Sequence, residues 1–122
     1  MTKNNYEADS RGLNVAITSN ILPEEQMRKL GFTDHLESVW YYSKYVSKNK
    51  QITFNVSIPK DGSRFEIDIL DENFLQPYDY QAILSSNPNN HYAKQIKKTV
   101  EDHMQQLFNY GIIAGWKPGM YI

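Results

Sequence analysis

The stretch Ile52-Thr53-Phe54-Asn55-Val56-Ser57-Ile58-Pro59-Lys60-Asp61-Gly62-Ser63-Arg64-Phe65-Glu66-Ile67-Asp68-Ile69 decides the fold. Ile52, Phe54, Val56 and Ile58 alternate with Thr53, Asn55 and Ser57. That period of two belongs to a strand with one buried face. Pro59-Lys60-Asp61-Gly62 then signals a turn, because Asp-Gly tolerates positive φ. Phe65, Ile67 and Ile69 next alternate with Arg64, Glu66 and Asp68. One face of this hairpin is apolar and the other polar, so the sheet is expected to be covered on one side only.

Outward from the hairpin, Val39 to Val46 is rich in aromatic and β-branched residues and reads as a third strand, joined through the polar turn Ser47 to Lys50. Pro23 to Leu30 reads as a short helix. Glu24 and Glu25 complement its positive start, Arg28 and Lys29 sit in its last turn, and Gly31 stops it. Asp71 to Asn90 looks irregular, with one helical turn around Tyr80 to Leu84. His91 to Tyr110 forms a long amphipathic helix. Its apolar stripe is Tyr92, Ile96, Val100, His103, Leu107 and Tyr110, with Ala93 and Met104 at the edge. Ile112 to Ile122 is a mostly apolar tail holding Trp116 and Tyr121; it closes the core of its own chain or docks on a second copy. Residues 1–22 read as an N-terminal arm with a short strand at 13–18, and residues 23–122 as a single domain. The expected architecture is α+β: a two-layer sandwich of helix, three-stranded antiparallel meander and long helix.

The composition removes whole classes of chemistry. None of the 122 residues is cysteine, so disulfides, thiolate metal sites and cysteine nucleophiles are absent. The net charge of -1 gives no overall basic field for nucleic acid. It conceals an uneven distribution, however. Residues 51–89 carry two basic and six acidic side chains, whereas residues 90–122 carry four basic and two acidic. The N-terminus lacks the apolar core of a secretory signal, and no apolar run approaches the roughly 20 residues that span a bilayer. A soluble cytoplasmic protein without membrane association is the expectation.

Phosphate loops, dinucleotide glycine fingerprints, nucleophile elbows and zincin helices are missing. No catalytic residue, cofactor or metal site is assigned. His91 and His103 lie about 18 Å apart along the long helix and cannot share a metal. His103 reads as a core histidine, the sharper alternative being a buried pH switch. Asp68, Asp71, Glu72 and Asp79 form an acidic loop without calcium-loop spacing. Asp61 with Glu66-Ile67-Asp68 approaches a nuclease pattern, but Asp68 stands where the lysine belongs. The spacing of Gly111, Gly115 and Gly119 suggests a turn-rich tail, given Pro118.

Binding is a better prospect. Thr53, Asn55, Ser57, Arg64, Glu66 and Asp68 should share the open sheet face, with either Trp40 and Tyr42 or Tyr41 and Tyr45 beside them. An aromatic-studded polar sheet suits a protein contact, because aromatic side chains offer area at low entropic cost. The expected contact set is Trp40, Tyr42, Asn55, Glu66 and Asp68, with Tyr78 and Tyr80 of the following loop. The meander has unpaired edges, so a homodimer through a sheet edge or the C-terminal tail is a further expectation.

Two resemblances bear on function. The order helix, three strands, helix resembles the double-stranded RNA-binding domain. That likeness implies phosphate contacts from Lys94, Lys97 and Lys98 at the start of the long helix. It departs from that family in its linker of about twenty residues before the long helix, and Glu66 and Asp68 argue against nucleic acid on the open sheet face. Leu30-Gly31-Phe32, Trp40-Tyr41-Tyr42 and the stretch Ile52 to Gln81 resemble small uncharacterised proteins of phages and prophages of Gram-positive bacteria. This second resemblance implies a small non-enzymatic accessory or regulatory module that works by binding a protein partner.

Overall fold

A computed structural model describes residues 3–7, 16–61 and 65–119. The chain is α+β. Its elements are β1 (Lys3–Glu7), β2 (Ala16–Asn20), α1 (Glu24–Lys29), β3 (Val39–Ser47), β4 (Ile52–Pro59), β5 (Glu66–Asp71), β6 (Gln76–Pro77), α2 (Tyr80–Ser86), α3 (His91–Asn109) and β7 (Ile113–Ala114). The expected meander is present and longer by one strand. β3, β4, β5 and β6 form a four-stranded antiparallel sheet in that order. A second, three-stranded sheet has the order β1-β2-β7. The arm expected at the N-terminus is therefore partly strand: Lys3–Glu7 pairs antiparallel with β2. The strand expected at 13–18 runs Ala16–Asn20 instead, and residues 13–15 lie outside the described residues.

Local chemistry sets the helix ends. Pro23 stands at the N-cap position of α1, its carbonyl accepting from the Gln26 and Met27 N–H groups, and the first turn carries Glu24 and Glu25 and the last Arg28 and Lys29. Gly31 follows at φ 103, a left-handed conformation that ends the helix without steric cost. Asp79 caps α2 by accepting from the Ala82 N–H (3.1 Å), and Asn90 caps α3 by accepting from Ala93 N–H (3.0 Å).

The core gathers the hairpin's apolar face, α3 and α1. Ile52, Phe54, Val56 and Ile58 of β4 and Ile67 and Ile69 of β5 meet Ala93, Ile96, Val100, Met104 and Leu107 of α3, with Met27 and Phe32. Each large aliphatic side chain so buried contributes about 1.5–3 kcal/mol. The buried stripe of α3 is rotated from the expected one. Ala93 and Met104 are central, while Tyr110 is 56% exposed at the helix end. The tail closes its own core, since Ile112, Ile113 and Trp116 are buried and β7 pairs with β2. Those side chains therefore offer no surface to a second copy. Met120, Tyr121 and Ile122 lie outside the described residues. Among the described residues no helix is long and apolar enough to cross a membrane.

Candidate interaction surface

Register decides which aromatics face outward. Trp40 pairs with Ile58 and Tyr42 with Val56, so both share the apolar face and are buried. This corrects the expected contact set, because Trp40 and Tyr42 are core residues. Trp40 has Lys60 Nζ 4.6 Å and Arg28 Cζ 5.3 Å from its ring centre. The two cations are tied together by Asp34, which accepts from Arg28 Nη2 (2.9 Å) and Lys60 Nζ (3.0 Å). The bond from Lys60, with that from Arg28, holds the Asp34 carboxyl below the usual carboxylate range. Tyr80 is also buried, and Tyr78 is half-buried edge-on to Tyr92. Neither belongs to the open face.

The outer face of the sheet is lined by Tyr41, Ser43 and Tyr45 of β3, Ser57, Asn55 and Thr53 of β4, and Glu66, Asp68 and Leu70 of β5. Tyr41 and Tyr45 are 42% and 51% exposed. Asn55 organises this face. Its Oδ1 accepts from the Ser43 hydroxyl (2.6 Å) and the Tyr41 hydroxyl (3.1 Å). Its Nδ2 donates to Thr53 Oγ1 (3.0 Å) and Asp68 Oδ1 (3.2 Å). All four hydrogen-bonding positions of the amide are filled, and Asn55 is only 6% exposed. Asn55 thus supports the surface rather than touching a partner, whereas Glu66 and Asp68 are exposed. Arg64 lies outside the described residues.

The acidic residues of the loop have local duties. Asp71 Oδ1 accepts from the N–H groups of Asn73 (3.1 Å) and Phe74 (3.3 Å), and Asp79 caps α2. Lys94, Lys97 and Lys98 line one pocket of about 290 Å³ with Leu84, Pro88 and Glu101. Lys98 pairs with Asp102 at 3.2 Å. The carboxylate of Glu101 accepts from the Gly119 N–H (2.7 Å) rather than pairing with Lys97.

His103 links α3 to the sheet. Its Nδ1 shares a hydrogen bond with the Tyr42 hydroxyl (2.9 Å), and its ring stacks on Phe54 at 5.5 Å. Burial, with Lys44 nearby, pushes its pKa below the usual histidine value, against a smaller opposing effect of Asp102. Burial also raises the Tyr42 hydroxyl.

Comparison with protein families, with curated proteins and with solved structures finds no match to this chain.

Proposed function

We propose that the chain is a non-enzymatic protein-binding module, cytoplasmic and of the phage or prophage accessory type, that contacts its partner through the outer sheet face. The observation that carries this reading is the Asn55 network. It ties Tyr41, Ser43, Thr53 and the Asp68 carboxylate to one side chain, and beside them stand exposed Tyr45 and Glu66. The tied part of such a surface binds with little ordering cost, since Tyr41 and Asp68 are already held. Its acidity favours a partner with a basic surface. The phosphate-binding alternative through Lys94, Lys97 and Lys98 has less support. Asp102 pairs with one of these lysines and Glu101 shares their pocket.

The test is photo-crosslinking from position 45 in a lysate of a Gram-positive host, repeated with Tyr41→Ala/Glu66→Lys and with Lys94→Ala. The expected result is a discrete adduct lost with the sheet-face variant and kept with Lys94→Ala. Equal adducts from all three proteins would sink the reading.

A further inference from the structure

The turn between β5 and β6 is unusual in what it shows to solvent. Phe74 is 73% exposed and Leu75 80%. They are not on a loose loop, because each neighbouring group is tied. Asp71 accepts from the N–H groups of Asn73 and Phe74, the Asn73 side chain donates to the Lys50 carbonyl (3.3 Å), and the Glu72 N–H donates to the Gln51 carbonyl (3.0 Å). Leu75 itself sits at φ 52, a left-handed conformation that glycine or asparagine adopts more readily. A bulky apolar side chain thus occupies a position where backbone sterics favour a small one. Strain of that kind persists where the surroundings impose it, and it clusters at functional sites.

A complementary hollow lies elsewhere on the chain. Leu22, Gln26, Lys29, Leu30 and Tyr110 line a pocket of about 360 Å³. Its described walls are mainly apolar, and Lys29 is the one charged residue among them. The exposed tip carries the opposite sign through Glu72. The two features lie toward opposite ends of α3. The tip is tied to Lys50, whose Nζ is 4.8 Å from the Tyr92 ring near the helix start, whereas Tyr110 caps the helix end. Nineteen residues of helix separate these ends by about 28 Å.

From this arrangement we propose that the Phe74–Leu75 tip inserts into the Leu22–Leu30–Tyr110 pocket of a second copy of the chain, with Glu72 facing Lys29. A tip and a pocket on different ends of one molecule make a head-to-tail contact, which propagates into chains or closes into rings rather than stopping at a symmetric dimer. The contact is small and therefore weak, so it operates at high local concentration. It is independent of the outer sheet face.

The experiment is sedimentation equilibrium up to roughly 1 mM chain, where weak contacts become populated. It compares wild type, Phe74→Asp and Gln26→Trp, which alter exposed positions at the tip and the pocket. Wild type should exceed the 14.3 kDa monomer mass progressively with concentration. Each variant alone should stay monomeric, whereas their equimolar mixture, with one intact tip and one intact pocket, should reach twice the monomer mass and stop. Lys29→Glu serves as a second pocket variant, with association restored by mixing it with Glu72→Lys. A wild-type mass constant at the monomer value overturns the proposal. So does association of either single variant to the wild-type extent, or a mixture that remains monomeric.

Discussion

Replacing Asn55 with aspartate tests whether the outer face is held as described. The amide nitrogen donates to Asp68 Oδ1 at 3.2 Å and to Thr53 Oγ1 at 3.0 Å. In Asn55→Asp both donors vanish, and a carboxylate faces a carboxylate. At about 4 Å, two like charges repel by roughly 1 kcal/mol in water and about 4 kcal/mol at the effective dielectric near a protein surface. Asn55 is buried and Asp68 exposed, which places the repulsion near about 2 kcal/mol. The lost donor to buried Thr53 adds about 1 kcal/mol. A total of roughly 3 kcal/mol should lower the urea midpoint at neutral pH by about 1 M or more. Asp68→Asn in the same chain should recover about 2 kcal/mol of it, giving a coupling energy well outside additivity. A midpoint within about 0.3 M of wild type, or no rescue by Asp68→Asn, would refute the network as the organiser of this face.

Two further outcomes follow from the packing. His103 has a folded-state pKa below its unfolded value, so the unfolded chain binds more protons and stability should fall as pH drops below about 6.5, levelling off beneath the folded pKa. His103→Phe should remove that slope, set in wild type by burial, Lys44, Asp102 and Tyr42; an identical pH profile of urea midpoints in both proteins would contradict it. Trp116 is buried and lies 6.3 Å from the Phe108 ring, so Trp116→Ala should cost about 3–5 kcal/mol and lower the melting temperature by roughly 10 °C or more. An unchanged calorimetric transition would place the tail outside the core.

The hairpin was legible because its alternation is unbroken and its turn residues are diagnostic. The neighbouring strand, Val39 to Val46 in the sequence and Val39–Ser47 in the structure, was legible as a strand but not in which face it buries. In Trp40-Tyr41-Tyr42 the aromatic character sits on both faces, so a period-two reading returns no side. Only the pairing of Tyr42 with Val56 assigns it, and a register shift between Tyr45 and Ser47 complicates the strand's end. Asn55 illustrates a different gap. Its polarity predicted exposure, yet on a central strand four neighbouring side chains close over it and supply the partners that water would have given. β1, β6 and β7 carry little local signal. β6 and β7 are two residues each, and β7 exists only through a partner strand more than ninety residues away. Phe74 and Leu75 were hidden for a related reason, since apolar residues within an irregular stretch are ordinarily assigned to a core.

The pairing of Thr18 with Ala114 and Ser19 with Ile113 has a kinetic consequence. Sequence neighbours can build the β3–β4–β5 meander and the β1–β2 pair early, but β7 can join the small sheet only when a loop of about ninety-five residues closes. Closure entropy grows only with the logarithm of loop length, yet it is incurred before the contact rewards it. During synthesis the β2 segment emerges long before the strand that completes its sheet. Ile17 must then remain without its final neighbours until α3 and the turn after it have left the ribosome. The last step of folding is therefore expected to be a clasp between the early and late parts of the chain, and the same clasp should be the first to open under load.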